Sequence, residues 1–249
     1  MVQIQFISDL HLEALAEVPP AEHFVTPRAE VLVLVGDIGR IQKLDQIIKL
    51  LTELCAQFKL VLYVMGNHEF YRVPGIEPKT VDDLLEEVKV LETKFSNLHI
   101  LNRNAVILDG VCIAGCTLFS QATIQIPKFI VKIKGFNTQV YNSFFQRDLG
   151  YVHNIIEYCQ KKKLKLVMVT HYAPLRAMAK GKDPRYESLY ASDLSSLLYK
   201  DKVHTWISGH THVNCDFVTP GGTHVVTNQK GKVYDNITDF DKEKMIEVT

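Results

Sequence analysis

Six short, nearly unbroken apolar runs constrain this chain most: Val2–Ile7, Val31–Val35, Leu60–Met65, Val111–Ala114, Leu166–Thr170 and Val203–Ile207. A strand with one wet face alternates apolar and polar residues. A continuous run of this length marks a strand covered on both faces. Helical periodicity fills several of the gaps. Gln42–Phe58 puts Leu44, Ile47, Ile48, Leu51, Leu54 and Cys55 on one face, and Val81–Phe95 and Asp148–Lys162 read similarly. Strand, helix, strand predicts an α/β fold whose early strands are parallel. Beyond Gly209 the pattern changes to short strand-like pieces and turns, "CDFV", "PGG", "THVVT" and "KMIEV". That tail predicts a second, more antiparallel sheet.

Composition narrows the class. The 249 residues suffice for one large domain or two small ones, with a sizeable core. Lys and Arg together number 28, as do Asp and Glu, so the excess positive charge that draws proteins to duplex nucleic acid is absent. A nucleic-acid partner is therefore not expected. "MVQIQFISDLHLE" lacks the features of a signal peptide, and no apolar run nears the ~20 residues that span a bilayer. The five cysteines, Cys55, Cys112, Cys116, Cys159 and Cys215, are scattered without zinc-ribbon spacing and read as buried free thiols. A cytoplasmic protein without a membrane association is the expectation. Phe119–Phe145, with Lys128, Lys132 and Lys134, reads as a long irregular connection, either a lid over a site or surface decoration.

The polar residues at the end of each apolar run carry the chemistry. The first run ends in "SDLH" (Asp9, His11), the second in "GD" (Asp37) and the third in "GNHE" (Asn67, His68, Glu69). Leu166–Thr170 leads to His171, and Val203–Ile207 to "SGHTH" (His210, His212). In open α/β sheets the carboxyl ends of strands are where ligands bind. Glycine before Asp37, Asn67 and His210 would let the backbone turn sharply there. Taken alone, each residue has a plainer explanation: Asp9 caps a helix, Asn67 sits in a turn, His171 is a core histidine, and His210 and His212 are the polar edge of a strand. Five of the ten histidines at equivalent strand ends make those explanations jointly improbable. Mixed imidazole and carboxylate donors suit Mn²⁺, Fe, Zn²⁺ or Ni²⁺ better than an all-oxygen calcium cage.

The order "DLH", "GD", "GNHE", "H", "GHTH" between residues 9 and 212 resembles the five-block pattern of the calcineurin-like metallophosphoesterases. The resemblance implies a four-layer αββα sandwich of two mixed β-sheets flanked by helices, with residues 1–249 forming one domain. It implies two divalent ions, with Mn²⁺ favoured and Fe, Zn²⁺, Ni²⁺ or Mg²⁺ possible. Asp9, His11 and His212 would hold the first, Asn67, His171 and His210 the second, and Asp37 both. It further implies hydrolysis of a small phosphodiester or phosphomonoester by a metal-bridged hydroxide attacking phosphorus. His68 would protonate the leaving oxygen or hold the phosphate, and Glu69 would support the site from behind.

The second block departs from the family's fuller form, Gly-Asp-x-x-Asp-Arg-Gly. Here it reads "GDIGR", so Arg40 stands where a second Asp would orient the catalytic histidine. His68 is thereby left without its expected carboxylate partner, and a phosphoprotein phosphatase becomes the weaker alternative. Arg40 is either a surface residue or, with Asn67, a contact to a substrate phosphate. Tyr71 either lines the site or packs in the core. A non-catalytic interaction scaffold of the same fold is the other alternative, but the intact ligand set disfavours it.

Overall fold

The computed structural model describes residues 1–127 and 129–249. Two sheets stack face to face. The first contains β1 (Val2–Ile7), β2 (Val31–Val35), β3 (Leu60–Val64) and β4 (Leu98–Ile100), all parallel, with β11 (Met245–Val248) antiparallel to β1 at the edge. The second contains β5 (Asn104–Leu108), β6 (Val111–Cys116), β7 (Lys165–Thr170), β8 (Thr205–Ser208), β10 (His224–Thr227) and β9 (Asp216–Val218), in that order across the sheet. The interior strands β6, β7, β8 and β10 are parallel, and the outer pairs β5–β6 and β9–β10 are antiparallel. This is the αββα sandwich expected, with helices α1 (Leu44–Gln57), α2 (Val81–Val88), α3 (Val90–Lys94) and α4 (Thr138–Lys162) on the outside.

The side-chain period of two explains why the runs look continuous. Val33 and Val35 of β2 face the second sheet, where they share a core with Ile113, Val167, Val169 and Ile207. Leu32 and Leu34 point the other way, into the core that includes Ile47, Leu50, Leu51 and Leu54 of α1. Each interior strand is thus covered on both faces.

Three expectations need correction. The tail does not build a sheet of its own: β9 and β10 extend a sheet begun by β5 and β6, and β10 runs parallel to β8. β11 returns to the first sheet. The helix expected over Val81–Phe95 is two, divided at Lys89, and α4 begins ten residues before Asp148, where Asn137 Oδ1 caps it by accepting from Val140 N at 2.9 Å. Asp148 interrupts the apolar stripe of α4 while remaining buried. Its carboxylate accepts from Arg103 Nη1 (2.7 Å) and Leu118 N (2.8 Å), so a charged residue sits on the inner face and hides the periodicity.

The five cysteines are free, and Cys112, Cys116 and Cys159 are buried. No helix among the described residues is long and apolar enough to cross a membrane.

Candidate active site

The carboxyl ends of β1, β2, β3, β7 and β8 converge on one cleft, and each delivers the residues next to it in sequence. Asp9, His11 and His212 come together, as do His11, Asp37 and His68, and Asp37, His171 and His210; within each trio the potential donor atoms lie within 4.8 Å of one another. Asp37 and His11 each belong to two trios. Asn67 joins the second side through its Oδ1, 3.1 Å from His171 Nε2. All seven residues expected to hold metal are therefore assembled in one place.

The backbone is bent to achieve this. Asp9, His11, Asp37, His210 and His212 all have positive φ, between 50° and 69°, and make up half of the ten such non-glycine residues described. Each left-handed residue costs of order 1 kcal/mol or more, and such strain concentrates where function requires it. The expected glycine turns are only partly what the structure shows. Gly36 does turn, with φ +83°, but Gly66 and Gly209 are needed for space: a Cβ on Gly66 would lie 2.2 Å from Asp37 Oδ1, and one on Gly209 2.7 Å from Asp9 Oδ2.

Hydrogen bonds fix which nitrogen of each ring is free. His171 Nδ1 donates to Val35 O (2.8 Å), His11 Nδ1 to Glu13 Oε1 (3.2 Å) and His212 Nδ1 to Asp235 Oδ2 (2.6 Å). Carbonyls and ionised carboxylates only accept, so in each of these rings Nδ1 carries a proton and Nε2 is the nitrogen turned to a metal. His210 is reversed: Nε2 lies 3.2 Å from Leu189 O, which leaves Nδ1 free, and the ring stacks on Tyr172 at a 4.0 Å centroid distance. Carboxylate or carbonyl behind each imidazole is the arrangement that orients metal-binding histidines. The donor set thus fits a pair of divalent ions. Glu69 supports it from below: its carboxylate accepts from Asp37 N (3.0 Å), Ile38 N (2.8 Å), Gly66 N (2.9 Å) and Tyr63 OH (2.7 Å).

Electrostatics point the same way. Burial disfavours charge on Asp9 and Asp37, yet His212 holds Asp9 down to about 2, and His171 and His68 hold Asp37 well below the carboxylate range. Burial, aided by His171, lowers His210 to about 3, so its ring is a neutral donor. Burial also opposes charge on His171, but Asp37 overrides it and raises the ring to about 9. In metal-free protein a proton therefore occupies the Nε2 of His171 that a metal would need. Below about pH 9 metal must displace that proton, so apparent affinity should climb up to ~tenfold per pH unit and level off above it. Calorimetry in buffers of different ionisation heat should register one proton released from this ring. Affinity independent of pH, with no proton released, would contradict the assignment.

The cleft above the donors encloses about 260 Å³. Tyr71, Tyr172, Tyr186, Tyr190 and Tyr234 line it with Ile130, Val131 and Leu189, and among the described residues its lysines are Lys182 and Lys232. The Phe119–Phe145 segment reaches the cleft through Ile130 and Val131, but Lys132 and Lys134 are not among the described residues that line it. Lys134 Nζ bonds Pro78 O (2.9 Å), Lys132 lines a separate cavity, and Lys128 lies outside the described residues. Arg40 also belongs to that separate cavity, where its Nη1 bonds Arg72 O at 3.2 Å. Sequence reasoning missed Glu13, Asp235, Lys182, Lys232, Tyr172 and the outer tyrosines. Only Glu13, two residues after His11, carried a local signal.

The sequence pattern of the calcineurin-like phosphoesterases matches residues 2–214. That match, with the sandwich and the donor set, defines a metal-dependent phosphoesterase, a hydrolase whose relatives use a two-metal centre. The chain belongs to the calcineurin-like phosphoesterase family. An uncharacterized protein, L509, of Acanthamoeba polyphaga mimivirus is 26% identical over 92% of this chain and 90% of its own length. Phosphopantetheinyl hydrolase from Mycobacterium tuberculosis has a similar fold, with a TM-score of 0.73 at 15% identity over 94% of this chain and 90% of that one. A dimetal phosphatase from Danio rerio aligns at a TM-score of 0.54 and 14% identity, over 91% of this chain and 86% of its own.

Proposed function

We propose that residues 1–249 form one catalytic domain that hydrolyses a small organic phosphate ester with two divalent ions, Mn²⁺ being the first to try. The observation that carries this reading is the overlap of the donor trios through Asp37 and His11, with His68 at their edge. Two bound ions would supply Lewis-acid activation of water and charge neutralisation at phosphate oxygens.

The protein's own groups supply the rest. Asp37 spans both sets of donors, with Oδ1 3.3 Å from His171 Nε2 and Oδ2 3.9 Å from His11 Nε2. His68 has a side chain 15% exposed, against 1% for His11 and none for His171, so it reaches furthest into the cleft of the three. Its Nδ1 is held by Glu13, and Nε2 is left for a proton that the departing oxygen can take. Lys182 and Lys232 attract an anion to the mouth, while the tyrosines and Ile130, Val131 and Leu189 form a largely apolar wall for the organic part.

Metal-loaded protein should turn over small phosphomonoesters or phosphodiesters and lose that activity on chelation. Lys182→Ala and Lys232→Ala should each raise KM by roughly threefold to tenfold at low salt, the scale of one partly exposed charge. The salt dependence of KM should weaken with them. A loaded protein inert towards every small ester tried, or lysine variants with unchanged KM, would count against this reading.

A further inference from the structure

Arg40 occupies the position where a carboxylate would serve His68, and its side chain lines a different cavity. His68 nevertheless has a carboxylate. Glu13, on the turn after β1, has a side chain only 5% exposed, and its Oε1 lies 2.6 Å from His68 Nδ1 and 3.2 Å from His11 Nδ1. Its other oxygen, Oε2, is buried without a hydrogen-bond partner among the described residues. The hydrogen bonds of this carboxylate therefore go to two imidazoles. Burying a carboxylate is costly unless it is paired, and this pairing is to site residues alone. The His68 ring is also confined from its faces and edge: it stacks on Tyr71 at 4.5 Å and meets His11 edge-on at 4.5 Å.

We propose that Glu13 is the positioning residue for His68: it holds one ring proton on Nδ1, turns Nε2 to the cleft so that the second ring proton, carried there, is the one given to the departing oxygen, and through the shared Oε1 ties that orientation to the ligand His11. The inference rests on the reading of His68 as a proton donor and adds a role that "GDIGR" alone would deny. Because Oε1 also accepts from His11 Nδ1, metal content measured on each variant separates an effect on that ligand from one on His68.

The test compares Glu13→Ala, Glu13→Gln, His68→Ala and the Glu13→Ala/His68→Ala double variant, with metal content measured on each. For an alkyl phosphate ester, Glu13→Ala should lower kcat by ~10- to 100-fold, the usual scale for groups behind a working imidazole. A p-nitrophenyl ester should be nearly unaffected. Glu13→Gln should recover part of the loss, because its carbonyl still accepts a hydrogen bond. The double variant should be no worse than His68→Ala, as expected for residues acting through one group. Long-range ¹⁵N–¹H spectra of Zn²⁺-loaded protein, followed to a pH at which the ring is neutral, should show the neutral His68 as the Nδ1–H tautomer in the wild type and a mixture in Glu13→Ala. Intact alkyl-ester turnover in Glu13→Ala where His68→Ala has lost it would overturn the proposal. So would equal loss on both esters, or an unchanged tautomer. Should His68→Ala itself spare alkyl esters, the proton-donor reading is what fails, and the tautomer alone then decides whether Glu13 positions the ring.

Discussion

Asp37→Asn is expected to lose at least one divalent ion and at least ~100-fold in turnover, the scale of removing one electrostatic partner from a transition state, with the fold retained. Among the described residues, Asp37 alone has a carboxylate oxygen near the histidines of both sides, at 3.3 Å from His171 and 3.9 Å from His11. Asparagine removes the negative charge from both at once. The fold should survive because the local backbone does not depend on that charge. Glu69 accepts from the amides of residues 37, 38 and 66, and His11 N and Leu12 N bond the carbonyls of Asp37 and Ile38. An amide oxygen could still accept from His68 N, as Asp37 Oδ1 does at 2.8 Å. Metal analysis, turnover and a melting curve on the same sample separate these effects. Two tightly held ions with normal turnover would remove Asp37 from the bridging role.

His68→Ala is expected to keep both metals and to discriminate sharply between substrates. A general acid matters when the departing oxygen is basic. Alkoxides need the proton, whereas p-nitrophenolate leaves readily without it. Such assistance is typically worth ~100- to 10,000-fold, or about 2.7–5.4 kcal/mol, and that loss should fall on alkyl esters. Were His68 only a clamp on phosphate, both esters would suffer alike, since the transferred group is common to them. Were it a ligand, which its place beside His11 and Asp37 makes a fair competitor, metal would be lost. Comparing kcat/KM for the two ester classes with metal content distinguishes the three.

The parts legible in sequence were those whose surroundings are uniform. β2, β3 and β7 are apolar because both faces are covered, and their polar sequels stand out for the same reason. β4 and β5 escaped notice: one is three residues long, and the other is half-exposed at the sheet edge, so neither carries a continuous run. The tail misled because local pattern shows that Met245–Val248 is extended but not that it pairs with β1 across nearly the whole chain. In the site, residues at strand ends were found by position. Lys182, Tyr186 and Tyr190 come from the connection between β7 and β8, and Lys232, Tyr234 and Asp235 from that between β10 and β11. No periodicity marks such residues, and only the tertiary fold brings them to the cleft. Glu13 is intermediate: its spacing from His11 was visible, but its bond to His68 spans 55 residues of sequence.

Anomalous scattering from crystals of Mn²⁺-loaded protein tests the two-metal centre most directly. Two peaks are expected, one among Asp9, His11 and His212 and one among Asn67, His171 and His210, with Asp37 in contact with both and His68 with neither. A single peak, or two peaks that do not share Asp37, would contradict the account.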